Sequence, residues 1–343
     1  MISKIKKISR KLMIGAASAV LAISTLTTNA YALTGTTSSI VYPEWKMADP
    51  VTEKTDGVEG YLMVNKEPVF CVDYHTAFHS GKTVTQGTFA DAGISEETAK
   101  KLSVIAYYGT KVPGRTDRDW YAITQGLLWR VIHNDNSLKY IRTNTTPDFN
   151  ATKVAWNQIM ADVDRYYVLP SFANSSQSVD FDGTIQLTDT NGVLSDMVVS
   201  DNGGLDVSIQ GSQLVVNGNS NTSDEVTITL KKNIPAGETG TSIVYTAPDC
   251  QAVASFKVDN PMEAKLKIKI NRFGKLELTK FNEDKSGTVP ETTYRITGPN
   301  GFDETHTTND DGKIILNRLP VGEYKAVEVQ AGTGYLINTT EFG

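Results

Sequence analysis

Between Glu59 and Tyr74 apolar and polar residues alternate in two runs broken at Asn65-Lys66, which predicts a hairpin of two strands, Glu59 to Val64 and Glu67 to Tyr74. On the second strand the period of two puts Val69, Cys71 and Asp73 on one face and Phe70, Val72 and Tyr74 on the other. From Ser95 the period lengthens. Leu102, Ile105 and Ala106 form the inner stripe of a helix that Ser95 can cap, that Glu96 and Glu97 suit at its positive end, and that Gly109 can close. A second helix is predicted from about Asp117 to His133, with Tyr121, Gln125, Leu128, Trp129 and Ile132 on one side. A third runs from about Asn150 to Tyr167, with Ile159, Met160, Val163 and Tyr166 or Tyr167 inward and Pro170 ending it.

Around Ser175 the texture changes. Short alternating runs replace the helical period (Thr184 to Leu187, Leu205 to Ile209, Val226 to Leu230, Ala252 to Val258, Leu266 to Ile270), and Asn, Gly, Asp and Ser clusters separate them. The last segment is also all-β, with strands expected at Lys275 to Thr279, Thr293 to Thr297, Lys313 to Leu316 and Tyr324 to Val329. The expected fold class is therefore multidomain: an α+β unit over residues 33–175, then all-β sandwich domains over 176–272 and 273–343. Residues 176–272 are either a domain of their own or the all-β part of the first unit, and the final module looks incomplete.

The first residues change the cellular setting. A basic stretch (Lys4, Lys6, Lys7, Arg10, Lys11), an apolar run from Leu12 to about Leu26 and the small-x-small pattern Ala30-Tyr31-Ala32 predict a signal peptide over residues 1–32. Its removal takes away five basic residues and no acidic one, moving the net charge from −6 to −11. Such an acidic surface argues against nucleic acid and anionic lipid as partners and favours amine-rich ones. Of the two cysteines, Cys71 and Cys250, an exported chain would by default make a disulfide. Placing them in different domains argues against it, because the bridge needs α-carbons within about 7 Å.

Gln125 is the one amide on the apolar face of the second helix, and a buried amide without a partner costs about 1–3 kcal/mol. A strand thiol brought against such an amide can form an internal thioester with loss of ammonia. Phe70-Cys71-Val72 together with Thr124-Gln125-Gly126-Leu127-Leu128-Trp129 resembles the thioester domain of Gram-positive surface adhesins, by motif over about residues 55–135. The resemblance implies that Cys71 supplies the sulfur and Gln125 the acyl carbon. It also implies that an amine on a host surface or extracellular matrix protein, chiefly lysine, attacks once and leaves the bacterium covalently attached. That is acyl transfer without turnover, in a monomer with no cofactor and no membrane contact after signal cleavage. Tyr121, Leu128 and Trp129 would exclude water, Thr124 would donate a hydrogen bond near the reacting carbonyl, and Asp73 or His75 would move the proton.

Other readings stay open on the same residues. Cys71, His75 and His79 form a C-x3-H-x3-H series, although structural zinc sites use four ligands at other spacings. Cys71 with His133 or His75 would suit a cysteine hydrolase or transglutaminase, although such thiols usually sit at a helix start. A structural, pilus-like surface protein with Cys71 and Gln125 in its core is a third. In the last module, Lys275-Leu276-Glu277-Leu278-Thr279-Lys280, Leu319-Pro320-Val321-Gly322-Glu323-Tyr324 and Val327-Glu328-Val329 resemble the SpaA/CnaB-type prealbumin-like repeat of pilins and wall-anchored adhesins. The resemblance implies an isopeptide bond with Lys280 as the amine and Glu328 as its promoter, with no acceptor assignable. It also implies cell-wall anchoring through a region beyond this chain.

Overall fold

The computed structural model describes residues 34–42, 45–48, 55–56, 59–73, 75–135, 139–142 and 149–343. The expected signal peptide over residues 1–32 and Tyr74 lie outside the described residues. Three helices form as the pattern predicts: α1 (Glu96–Thr110), α2 (Arg118–Ile132) and α3 (Phe149–Tyr167). Ser95 Oγ accepts from Thr98 N at the start of α1, and the Asp117 carboxylate accepts from Trp120 N at the start of α2. The hairpin at Asn65-Lys66 also forms, but the expected strand from Glu67 is split into Glu67–Pro68, which pairs in the hairpin, and Phe70–Cys71, which pairs with Cys250–Ser255 at the other edge of the sheet. Both turn residues have positive φ (53° and 70°), the conformation that a two-residue hairpin turn needs.

Gly109 does not close α1. The helix runs on to Thr110, and Gly109 is buried where α1 meets α2. A β-carbon there would lie 2.7 Å from Thr124 Cγ2 and 2.9 Å from Thr124 Cβ. The glycine is needed for close helix approach, not for a left-handed exit.

The helices cover a seven-stranded antiparallel sheet. Its strand order is 67–68, 59–64, 34–42, 83–87, 243–247, 250–255, 70–71. Two strands that the sequence pattern groups with the sandwich, Ile243–Ala247 and Cys250–Ser255, thus pair into the sheet of Cys71, with Val253 opposite Cys71 and Ala254 opposite Phe70. The core follows suit: Val244, Val253, Ala254, Phe256 and Val258 pack with Leu102, Ile105, Leu128 and Val163.

Before and after these two strands the chain builds a sandwich of two sheets, ordered 184–188, 213–217, 206–210 and 197–201, 225–232, 263–271, 176–180. Leu214, Ile228, Leu230, Leu266 and Ile268 fill its interior. Arg165 at the end of α3 ties the two bodies, pairing with Asp196 at 2.7 Å, while the buried Lys232 Nζ donates to Arg165 O at 3.1 Å. The final module pairs 273–279 with 313–320 and sets 293–297 between 303–307 and 325–330. Arg318 spans back to the sandwich through Asp182 (2.6 Å) and Asp180 (2.7 Å).

The two cysteines are therefore nearer than separate domains would place them, and both are buried thiols outside any disulfide. Register keeps them apart. Cys250 lies three positions along its strand from Val253, the partner of Cys71, a displacement of about 10 Å, beyond disulfide reach.

Candidate functional site

The helix α2 runs beside the chain from Val69 to His75, and the two repeat at nearly the same spacing. Four helical residues advance about 6 Å and two extended residues about 6.6 Å, so the contact made at Val69 recurs at Cys71. At the first step the Tyr121 hydroxyl donates to Val69 O (2.6 Å) and accepts from Leu62 N (3.2 Å). One turn on, Gln125 meets Cys71. Two turns further, the His133 ring meets the ring of His75 edge to face, with centroids 5.4 Å apart.

At the middle step the Gln125 amide bonds the Cys71 backbone as a neighbouring strand would. Cys71 N donates to Gln125 Oε1 at 2.7 Å, and Gln125 Nε2 donates to Cys71 O at 2.9 Å. Both residues are 0% exposed. The amide of Gln125 is satisfied, and its satisfaction fixes it on the residue that carries the thiol. The thiol donates to Asp73 O at 3.0 Å, along the strand and toward the His133 step.

The surround is apolar and aromatic. Leu128 is fully buried and Trp129 nearly so, while Phe70 stacks on Tyr121 with centroids 4.7 Å apart and Tyr61 leans on the same ring at 4.5 Å. Two cavities approach the strand from its two ends. One, of 690 Å³, reaches Val69 and Phe70 and is lined also by Tyr61, Tyr107, Tyr121 and Phe256. The other, of 550 Å³, reaches Val72 and Asp73 and is bounded by Asp91, Ile132, His133 and Ala252. The Cys71 backbone lies between them.

Thr124 takes a different place from the one expected of it. One residue along a helix is a turn of about 100°, so Thr124 faces Gly109 of α1 while Gln125 faces the strand. Its Oγ1 is buried without a hydrogen-bond partner. Asp73 is engaged in a local turn, accepting from His75 N (3.0 Å) and Thr76 Oγ1 (2.6 Å). The zinc series does not come together at one point: His75 turns to His133, while the His79 carbonyl accepts from Thr37 Oγ1 at 2.7 Å. Among the described residues no group of three His, Cys, Asp or Glu is arranged to hold a metal.

His133 is a neighbour of the thiol segment that the motif alone does not single out. Burial, then the adjacent His75, pushes its pKa below the ordinary 6.5, while Asp73 and Asp135 oppose the shift. The signal was present in the sequence as the i, i+4, i+8, i+12 series Tyr121, Gln125, Trp129, His133.

In the last module Lys280 Nζ lies 2.7 Å from Glu328 Oε2. Glu328 is 1% exposed, Tyr294 OH donates to the same oxygen at 3.4 Å, and Oε1 has no hydrogen-bond partner. The strands 273–279 and 325–330 belong to different sheets, so this pair crosses the module's interior.

Residues 68–165 match the family model of the thioester domain, and residues 274–343 match that of the SpaA prealbumin-like fold domain. Among solved structures, the thioester domain of the Staphylococcus aureus TIE protein is similar at 20% identity and a TM-score of 0.57, covering 70% of this chain and 100% of that one. The Bacillus anthracis TIE protein aligns at 13% identity and a TM-score of 0.40, over 90% of this chain and 62% of that one. The major pilin subunit BcpA of Bacillus cereus aligns at 11% identity and a TM-score of 0.23, over 49% of this chain and 61% of that one. No match was found among curated proteins. The family models thus place a thioester domain at residues 68–165 and a SpaA prealbumin-like fold domain at residues 274–343 of this chain.

Proposed function

We propose that this chain is a bacterial surface adhesin that joins itself covalently to a host or matrix protein through a thioester between Cys71 Sγ and Gln125 Cδ. The observation that carries the reading is the docking of the Gln125 amide on the Cys71 backbone at 0% exposure. In the forming step the thiolate attacks Cδ, the C–N bond breaks and ammonia leaves. In the using step a lysine amine attacks the same carbon, the C–S bond breaks, and Gln125 ends as an amide to the target with Cys71 a thiol again. The buried surround slows the competing attack by water. Because the product amide is stable, each chain acts once.

The Lys280–Glu328 pair supports a second, structural bond in the last module: an isopeptide from Lys280 Nζ to the side-chain carbonyl of an Asn or Asp, with loss of ammonia or water, promoted by Glu328. Burial of one carboxylate oxygen with no hydrogen-bond partner leaves it available to handle protons. The role would be mechanical support behind the reactive domain, on a chain exported through its N-terminal signal and held at the cell wall.

Intact mass is the test. The mature chain should be lighter by one ammonia, and Cys71→Ala should restore that mass. An unchanged deficit in the Cys71 variant refutes the thioester. Methylamine should add once, at Gln125. The two histidines beside Asp73 favour one rival, a cysteine hydrolase, and it is separated by stoichiometry: a hydrolase processes many substrate molecules per chain. A deficit that persists in Cys71→Ala and vanishes in Lys280→Ala would mark the isopeptide.

A further inference from the structure

Acyl transfer at Cys71 and Gln125 leaves a proton to be moved between nitrogen and sulfur, and neither Gln125 nor the apolar surround can carry it. Thr124 faces α1, and the Asp73 carboxylate is held in its own turn. The thiol points along the chain to Asp73 O, and Asp73 with Val72 lines the 550 Å³ cavity in which they meet Ala252 and His133.

We propose that His133 is the proton carrier of the thioester, taking the proton from the nitrogen or sulfur nucleophile and returning it to the group that leaves. The proposal rests on the thioester reading above and adds a residue to it. Three observations place His133. It follows α2 directly, with its backbone N–H donating to Trp129 O, so its position is fixed by the same helix that fixes Gln125. Side chains on a helix lean toward its N-terminus, which carries the imidazole back toward Gln125. The Cys71 thiol, for its part, points along the strand to Asp73 O, toward the His133 step and away from the Tyr121 step.

The steps balance. In formation, His133 accepts the thiol proton, sulfur bonds to Gln125 Cδ, and the proton goes to the departing nitrogen, which leaves as ammonia. In use, the attacking amine gives its proton to His133 as the C–N bond forms and the C–S bond breaks, and His133 passes it to the sulfur. One base serves both directions, as microscopic reversibility requires.

The groups facing the ring are Asp73 and His75 from the chain after Cys71, Asp135 beyond α2 and Asp91 across the cavity. Burial and His75 together outweigh the carboxylates, so the ring is neutral at neutral pH and able to accept a proton. Asp73 and Asp91 also give the cavity a negative rim that suits an incoming ammonium.

The experiment uses the whole mature chain with three variants, His133→Ala, His133→Gln and His75→Gln, and reads intact mass and the rate of methylamine addition against pH. Wild type should show the one-ammonia deficit. Its absence would sink the thioester reading itself, separately from the role of His133. With the deficit present, the wild-type rate per free amine should rise through a titration below pH 6.5 and then level. Both His133 variants should lose that step and react at least about 10²-fold more slowly, or form the thioester that much more slowly. In His133→Ala, added imidazoles should restore the rate in order of their basicity. His75→Gln takes away a neighbour that depresses His133, so it should move the step to higher pH without abolishing it. Wild-type rate and profile in the His133 variants, a loss that imidazoles do not restore in His133→Ala, or a loss that follows His75 would each overturn the proposal.

Discussion

Replacing Gly109 by alanine sets two effects of known sign against each other. Alanine is the better helix former, by about 1 kcal/mol in a helix interior. At this position, however, the new methyl would enter the space of Thr124, 2.7 Å from Cγ2 and 2.9 Å from Cβ, whereas carbon atoms rest about 3.5–4.0 Å apart. Thr124 is 0% exposed and cannot swing into solvent, so α2 must move away by close to 1 Å. Overpacking of this kind costs about 1–3 kcal/mol, and three close atoms on one fixed residue place it in the upper half of that range. The net loss is about 1–2 kcal/mol, or about 2–8 °C in Tm for a domain of this size.

The displaced helix carries Gln125, so the yield of the one-ammonia mass deficit should fall with the Tm. The reciprocal exchange, Gly109→Ala with Thr124→Gly, removes the clash and should recover about 2–3 kcal/mol of stability relative to the sum of the two single changes. Calorimetry and intact mass on the four proteins suffice. A Gly109→Ala chain that melts higher than wild type would show that helix propensity wins and that the approach of α1 to α2 is looser than described.

Two other perturbations test different parts of the molecule. Asp189 is buried, which raises its pKa, but backbone N–H groups of Ser171, Val193, Asn191 and Leu194 outweigh that and hold it below 3.8. A depressed carboxyl contributes stability that is complete above the unfolded value and is lost as pH falls through the folded one. Asp189→Asn should therefore cost about 2–4 kcal/mol at neutral pH, shrinking below pH 3.8, as read by urea titration at several pH values. Glu328→Ala would leave Lys280 facing the module interior without its 2.7 Å partner, and should cost about 3–5 kcal/mol in denaturant unfolding; a loss under 1 kcal/mol would mark the pair as a surface contact.

What the sequence made legible is the part governed by neighbours in the chain. Ser95 and Asp117 announce two helix starts because a cap acts within three residues. Asn65-Lys66 announces a hairpin for the same reason. Gln125 could be singled out because its helical neighbours are apolar, and the structure sets it against Cys71. The strand Cys250–Ser255 was not legible in this way. Its alternation is the same whether it joins the sandwich or the sheet of Cys71, and the choice is made by pairing across more than 170 residues, which leaves no local mark. Gly109 misled for a related reason: a glycine near a helix end reads as an exit, and only the opposing Thr124 shows that it is a contact. His133 lay on the right helical face but past the apolar stripe, so its neighbourhood with His75 emerged only once the helix and strand were aligned.

The sheet order has a consequence for how the protein is armed. In its sheet the Cys71 strand is hydrogen-bonded to a single neighbour, Cys250–Ser255, and that neighbour is synthesised about 180 residues later. A chain emerging N-terminus first presents Cys71 and Gln125 early, yet the strand that pairs with Cys71 arrives only after every sandwich strand except Glu263–Asn271. The strand partner of Cys71 is thus supplied late, by a segment that follows every other strand in its sheet, and a chain cut short before residue 250 lacks that strand.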